Sequence, residues 1–201
     1  HNQKPLLVNY LFAGVLKGSR DLLGLVNEGL SAITTREILD IEKRWIPDPT
    51  LRLYTKWSKA VKLTKTEKAW LAKHKNIRLG VDPSWLPFEG ISKERFYEGI
   101  ASGYVSLLNK KLDVGMQPIK GLTWTQVMAR AKAGELDVLP CLTRTPEREK
   151  FLLFTRPYLQ FPLVVITRND ARPVMGLQNL KNDMVAMPEG YATVELVAED
   201  I

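Results

Sequence analysis

From Ile77 to Leu142 the chain alternates between two apolar periods, and this alternation restricts its fold more than any other feature. IRLGVD (77–82) reads as a strand, followed by a proline-containing loop at 83–89 and a helix over 97–111. A short strand over 115–119, a helix over 123–133 and a strand in LDVLPCL (136–142) complete the run. Strands that alternate with helices in this way imply an open α/β sheet covered by helices. Such sheets take ligands in the crevice beyond the carboxyl ends of their strands. The loops at 83–89, 121–124 and 141–148 are therefore where chemistry is expected.

The residues before Ile77 have a different plan. Leu6 to Leu16 form a strand-like apolar run, and Leu22, Leu23, Val26, Leu30 and Ile33 then recur at helical spacing, with Ser19 or Asp21 as cap. Thr34 or Thr35 opens a second helix through Ile38 and Ile41 to Trp45, which Pro47 and Pro49 end. Thr64 and Glu67 have capping-box spacing for a short helix that carries Trp70 and Leu71 on its inner side.

Charge argues against a nucleic-acid partner. The net charge is +7, with 14 basic against 7 acidic residues up to Asn76 and 15 of each from Ile77 onward, so the α/β segment is neutral. The excess lies in a stretch from Arg52 to Lys75 with eight basic residues and one acidic residue, Glu67, interleaved with Tyr54, Trp57 and Trp70. A solvated connector accounts for such a run better than a phosphate-gripping surface does. The apolar fraction of 45% and charged fraction of 25% are ordinary for a globular protein. No apolar run approaches the roughly 20 residues of a membrane-spanning helix. Cys141 is the single cysteine, and His1 and His74 lack metal-ligand spacing, so neither a disulfide within the chain nor a metal or cofactor is expected. The start at His1 reads as part of something longer.

Each crevice loop offers groups suited to a small carboxylate or zwitterion. Trp85 and Phe88 flank Pro87, Trp124 opens a helix, and Thr143, Thr145 and Arg148 lie within six residues. The planar fork of an arginine grips a carboxylate with two parallel bonds, and a threonine hydroxyl adds a third. The alternatives are a surface pair between Arg148 and Glu147 or Glu149, and ordinary core packing for the aromatics.

The stretches VDPSWLPFE (81–89), GELDVLPCLTRTPEREKFLLFTRPYL (134–159), FPLVVITR (161–168) and VAMPEGYATVEL (185–196) together resemble the type II periplasmic solute-binding proteins. This is the Venus-flytrap fold of bacterial solute-binding family 3. FAGVLKGSRDLLGLVNEGLSAITTREILDIEKRW (12–45) resembles the carboxyl-terminal end of the same fold, its return strand and closing helices. An end followed by a beginning implies tandem modules. LTKTEKAWLAKHKNIRLGVDPSW (63–85) is similar to the join in the tandem-flytrap regions of bacterial sensor kinases. The resemblance implies an α/β periplasmic binding protein fold with an incomplete second lobe. Residues 1–46 would end a first module, 47–76 would be a linker with a short helix, 77–167 lobe 1 of a second module, and 168–201 its hinge and the start of lobe 2.

By the same resemblance Trp85 and Trp124 sandwich the ligand, Cys141 offers its backbone carbonyl, Thr143 donates a hydroxyl and amide, and Arg148 clamps a carboxylate. Tyr191 and Thr193 belong to a helix amino-terminus that closes on that carboxylate, although Tyr191 and Ala192 stand where small hydroxyl residues are usual. The implied function is recognition of an amino acid or other carboxylate in the periplasm by the outer part of an inner-membrane signalling protein. Its partners would be the ligand and an adjoining flytrap module, with room for a homodimer in the full-length receptor. The alternative is the free receptor of an ABC transporter. An enzyme on this fold would need Glu89 or Asp82 as acid or base, and neither has a second ionisable group of matching role nearby. With the rest of lobe 2 outside residues 1–201, the chain alone is expected to bind amino acids weakly or not at all. Lobe 1 would also expose an apolar face, which the strand and helices of residues 6–46 could cover as a surrogate.

Overall fold

The computed structural model describes residues 7–47, 63–172 and 174–200. The basic stretch containing Tyr54 and Trp57 falls largely outside the described residues. The first strand, β1 (Leu7–Leu16), is followed by α1 (Arg20–Ser31) and α2 (Thr35–Trp45). Thr34 and Glu37 form a reciprocal capping box on α2, and Thr64 and Glu67 form another on α3 (Lys65–Lys73). Two orphan donors are thereby satisfied at each helix start. Leu71 on α3 is buried, and Trp70 packs against the same apolar cluster while stacking on His74.

The α/β segment then supplies β2 (Asn76–Leu79), α4 (Ile100–Leu112), β6 (Gly115–Pro118), α5 (Trp124–Lys132) and β7 (Val138–Leu142). A one-turn helix α6 (Pro146–Glu149), β8 (Leu152–Phe154) and β9 (Leu159–Leu163) follow. Two details differ from the sequence expectation. The loop after β2 is itself structured, as a small antiparallel sheet of β3 (Ser84–Trp85), β4 (Glu89–Ile91) and β5 (Tyr97–Glu98). The helix expected from residue 97 begins only at Ile100. Tyr97 stays in β5, and Gly99, at φ 101°, turns the chain into the helix. The first amides of α4, those of Ile100 and Ala101, donate to the carbonyls of Pro87 and Phe88. A helix start satisfied by distant backbone leaves no capping residue for the sequence to show.

The main sheet runs β6-β2-β7-β1-β8, with β9 also paired to β1. β2 is parallel to β6 and β7, whereas β1 is antiparallel to β7, β8 and β9. The opening strand therefore lies inside the sheet that the rest of the chain builds. Leu11, Ala13 and Val15 are buried there, and Leu22, Leu25 and Val26 of α1 share a cluster with Leu79, Val105 and Leu108. The packing is close. A Cβ on Gly29 of α1 would lie 2.4 Å from Leu108 Cδ2, and one on Gly103 of α4 would lie 2.9 Å from Ile41 Cγ1. Glycine lets helix backbones approach where any side chain would hold them apart. With β1 inside the sheet, α1 and α2 cover its α4 side, which is what surrogate packing requires. On the other side α5 packs through Val127 and Ala131 onto Leu139, Leu142 and Leu152. After β9 the described chain contains a 3-10 turn at Leu177–Leu180 and the helix α7 (Ala192–Asp200). No described helix is long and apolar enough to cross a membrane.

Glu89 holds the small sheet against the large one. It is fully buried, its Oε1 accepts the Asp82 amide at 2.8 Å, and its Oε2 accepts the Tyr97 hydroxyl at 3.0 Å. Burial, with a further push from Asp82, raises its pKa from 4.5 to about 8, against the opposing pull of those two hydrogen bonds. Between these values the folded state holds a proton that the unfolded state has lost. This contribution to stability is therefore complete below pH 4.5 and lost as pH rises through about 8. The slope approaches about 1.4 kcal/mol per pH unit within that window. Replacing Glu89→Gln should flatten urea-measured stability between pH 5 and 8 and leave the variant more stable than the parent at pH 8. Parallel curves for the two proteins would show that Glu89 is charged in the fold.

Candidate functional site

The carboxyl ends of β2 and β7 open on one side of the sheet, and the residues singled out from the loops gather there. Thr145 accepts the Arg148 amide and caps α6, with Pro146 at its first position. This one-turn helix directs Arg148 back under β7, where only 5% of the residue is exposed. Its Nη1 donates to the Thr143 carbonyl at 2.8 Å and its Nη2 to the Gly190 carbonyl at 3.1 Å. The guanidinium lies 5.6 Å from the ring of Trp124. The neighbouring acids are engaged elsewhere: Glu149 with Arg144, and Glu147 with Lys150. Among the described residues Arg148 makes no salt bridge. Burial lowers its pKa, and the field of Glu195 offsets part of that shift.

Around this fork lies a cavity of about 70 Å³ lined by Trp85, Trp124, Thr143, Arg148, Tyr191 and Thr193, together with Asn9, Asp82, Phe161 and others. Six of the seven expected site residues share it. Trp85 and Trp124 face Tyr191 edge-on, at centroid distances of 5.8 and 6.4 Å. Cys141 does not line the cavity. Its side chain is wholly buried between β7's neighbours and Tyr158, and burial raises its thiol pKa well above the usual range. Its expected role, through the backbone carbonyl, involves no side chain.

The residues after 168 already reach across the opening. The Gly190 carbonyl accepts both Arg148 and, at 3.1 Å, the indole N–H of Trp124, and the Tyr191 hydroxyl donates to Asp82 at 2.5 Å. Burial, reinforced by Asp82, raises the Tyr191 pKa, so its hydroxyl stays protonated. Thr193 at the start of α7 has a buried Oγ1 with no hydrogen-bond partner among the described residues. A buried hydroxyl without a partner is costly, and a ligand that bonds to it removes that cost.

Asp82 and Asn9 were not assigned to the binding site from sequence. The sequence offers Asp82 only as a candidate acid or base, whereas in the structure it accepts the Tyr191 hydroxyl and the Ser84 amide. Asn9 falls within the strand-like apolar run of residues 6–16. It is 5% exposed, and its Nδ2 donates to Thr143 Oγ1 at 2.9 Å. An asparagine amid LVNYLFAGVL was the available signal, since a buried amide in a sheet needs a partner. Glu89 lies outside the cavity, and no described cluster of His, Cys, Asp and Glu could hold a metal. A larger hollow of about 680 Å³ lies between residues 163–168 and the segment 171–197. Its charges are already matched, Arg168 with Asp170 and Arg172 with Asp183.

Residues 77–196 match the model of the bacterial extracellular solute-binding proteins, family 3. The virulence sensor protein BvgS of Bordetella bronchiseptica is 26% identical over 187 residues, which is 92% of this chain and 15% of the relative. The sensor protein EvgS of Escherichia coli is 22% identical over 183 residues, 90% of this chain and 15% of that protein. The chain therefore spans about 15% of the length of these curated relatives. Among solved structures, the periplasmic VFT2 domain of Bordetella pertussis BvgS is 26% identical, with a TM-score of 0.45 over 49% of this chain and 42% of that one.

Proposed function

Because the chain belongs to the bacterial extracellular solute-binding proteins of family 3, with their α/β Venus-flytrap fold, we propose that it binds a small carboxylate, probed first as an amino acid, in the periplasm. In this reading residues 77–167 form the first lobe of the binding module and 168–201 begin the second. The observation that carries the reading is the Arg148 fork, buried beside an aromatic ring and, among the described residues, bonded to two backbone carbonyls and to no carboxylate, Glu195 acting on it only through its field. A planar cation desolvated in this way is a seat for a planar anion. The ligand's carboxylate replaces the Gly190 carbonyl on Nη2, the orphan hydroxyl of Thr193 gains an acceptor, and the amino-terminus of α7 favours the negative charge. Trp85 and Trp124 flank the ligand. At about 70 Å³ the cavity is small, so Gly190 and Tyr191 move away to admit it and close again over it.

Sensing, rather than transport, is favoured by the two relatives, both named as sensor proteins, which align over nine-tenths of the chain. Closure of the module would then be passed to a membrane signalling partner. The test is calorimetric titration of the full-length gene product with glycine, L-alanine, L-glutamate, acetate, succinate, glucose and putrescine. One or more of the carboxylates should bind, and glucose and putrescine should not. Binding of glucose or putrescine without competition from any carboxylate would overturn the reading.

A further inference from the structure

We propose, on the carboxylate reading, that Tyr191 sets the size of ligand the cleft accepts, its ring filling the place where a longer side chain would lie. The ring is fixed on three sides. Trp85 and Trp124 meet it edge-on, at centroid distances of 5.8 and 6.4 Å, and its hydroxyl donates to Asp82 at 2.5 Å. Asp82 is itself held: its amide donates to the buried Glu89, and its Oδ1 accepts the Ser84 amide at 2.9 Å. The preceding turn is tied down as well. Gly190, at φ 76°, adopts the left-handed conformation that glycine takes without strain, and its carbonyl accepts both Trp124 and Arg148. Asp82, Trp85, Trp124, Arg148 and Tyr191 all lie within the family match over residues 77–196, so the opening strand has no part in the arrangement.

With a carboxylate seated on Arg148, whatever the ligand carries beyond it must extend between Trp85 and Trp124, which line the same cavity. Tyr191 already stands against both. The space left is about 70 Å³, and a single water needs roughly 10–15 Å³, so the closed cleft holds about five to seven non-hydrogen atoms. Acetate, glycine and L-alanine fall within that limit. A longer side chain would displace the ring, which breaks its bond to Asp82 and leaves a buried carboxylate, 3% exposed, one donor short. Extra methylene groups forced into filled space are costly as well. The cleft therefore takes short carboxylates and rejects long ones of the same charge.

The test titrates the full-length gene product and its Tyr191→Ser and Tyr191→Phe variants with two series graded by length. One is acetate, butyrate and hexanoate, and the other is glycine, L-alanine, L-leucine and L-phenylalanine. In the parent, affinity should fall about tenfold or more from the shortest members to hexanoate or L-leucine, the discrimination that a methylene of misfit gives in an apolar pocket. Tyr191→Ser removes the ring and keeps a small hydroxyl, and the fall should shrink to a few-fold or reverse. Tyr191→Phe keeps the ring without its bond to Asp82, and its selectivity should lie between those of the parent and Tyr191→Ser. Four results would each overturn the role of Tyr191 while leaving the carboxylate reading intact. They are a parent that binds L-leucine, hexanoate or L-glutamate as tightly as any short member, an undiminished fall in Tyr191→Ser, no binding by that variant at all, and a Tyr191→Phe form less selective than Tyr191→Ser. A parent that binds no carboxylate, of these series or of the first panel, removes both.

Discussion

Substituting Val15→Asp should lower the melting temperature of the 201-residue chain by roughly 6 °C or more, and the loss should include the whole α/β segment, although that segment begins 62 residues later. Val15 is fully buried in β1, opposite Val138 of β7 on one edge and Leu153 of β8 on the other. A carboxylate there has no described cation within its cluster, which is built of Ala13, Leu22, Leu25, Leu79, Val105 and Val138. Burying an unpaired charge, or raising its pKa until it is neutral, costs more than about 3 kcal/mol. In a chain of this size 1 kcal/mol shifts the midpoint by roughly 2–4 °C. Tyr10→Asp is the control, because Tyr10 is 46% exposed and should cost little. Tryptophan fluorescence reports the relevant part once Trp45, Trp57 and Trp70 are replaced by phenylalanine in both parent and variant, since the remaining Trp85 and Trp124 both lie after Ile77. If the opening strand packed separately, Val15→Asp would leave the transition seen by those tryptophans where it was.

The fold was legible wherever it rests on local periodicity. β1, α1, α2, α3, β2, β6, α5 and β7 fall where their apolar spacing and caps place them, and the capping boxes at Thr34 and Thr64 are formed as the Thr-x-x-Glu spacing requires. What was not legible depends on distant partners. Neither the start of α4 nor the three short strands after β2 has a local cause. The first rests on the carbonyls of Pro87 and Phe88, and the second on the buried carboxylate of Glu89 joining Asp82 to Tyr97. Strands of two or three residues carry too few side chains for a period to show.

The site divides in the same way. Arg148, Thr143 and Trp124 could be found because the turn after a strand and the start of a helix are themselves sequence patterns, and the resemblance of VAMPEGYATVEL added Tyr191 and Thr193. Asn9 could not be reached by this route, because its place beside Thr143 is set by the insertion of β1 between β7 and β8, across 134 residues of chain. Only pairing register reveals it. Tyr191 was expected to mark a departure from the usual small hydroxyl residue. Its ring lies against Trp85 and its hydroxyl holds Asp82, which makes it part of the cavity wall.

The second large effect concerns Arg148, the cation at the centre of the cavity. Removing one partner of a buried, hydrogen-bonded charge pair typically costs about 2–5 kcal/mol, or roughly 30-fold to several thousand-fold in affinity. Arg148→Ala deletes the fork, and Arg148→Lys keeps the charge but replaces two parallel donors with a single point. Neither change touches an ion pair, since Glu147 and Glu149 are held by Lys150 and Arg144. The deciding measurement is calorimetric titration of the parent, Arg148→Lys and Arg148→Ala forms of the full-length gene product with the carboxylate that the parent binds best. The account predicts a loss of at least roughly 30-fold for alanine and an intermediate loss for lysine, with melting temperatures of the unliganded proteins within a few degrees of the parent. Parental affinity in Arg148→Ala would contradict it, because the ligand would then bind without the buried cation on which the site is built.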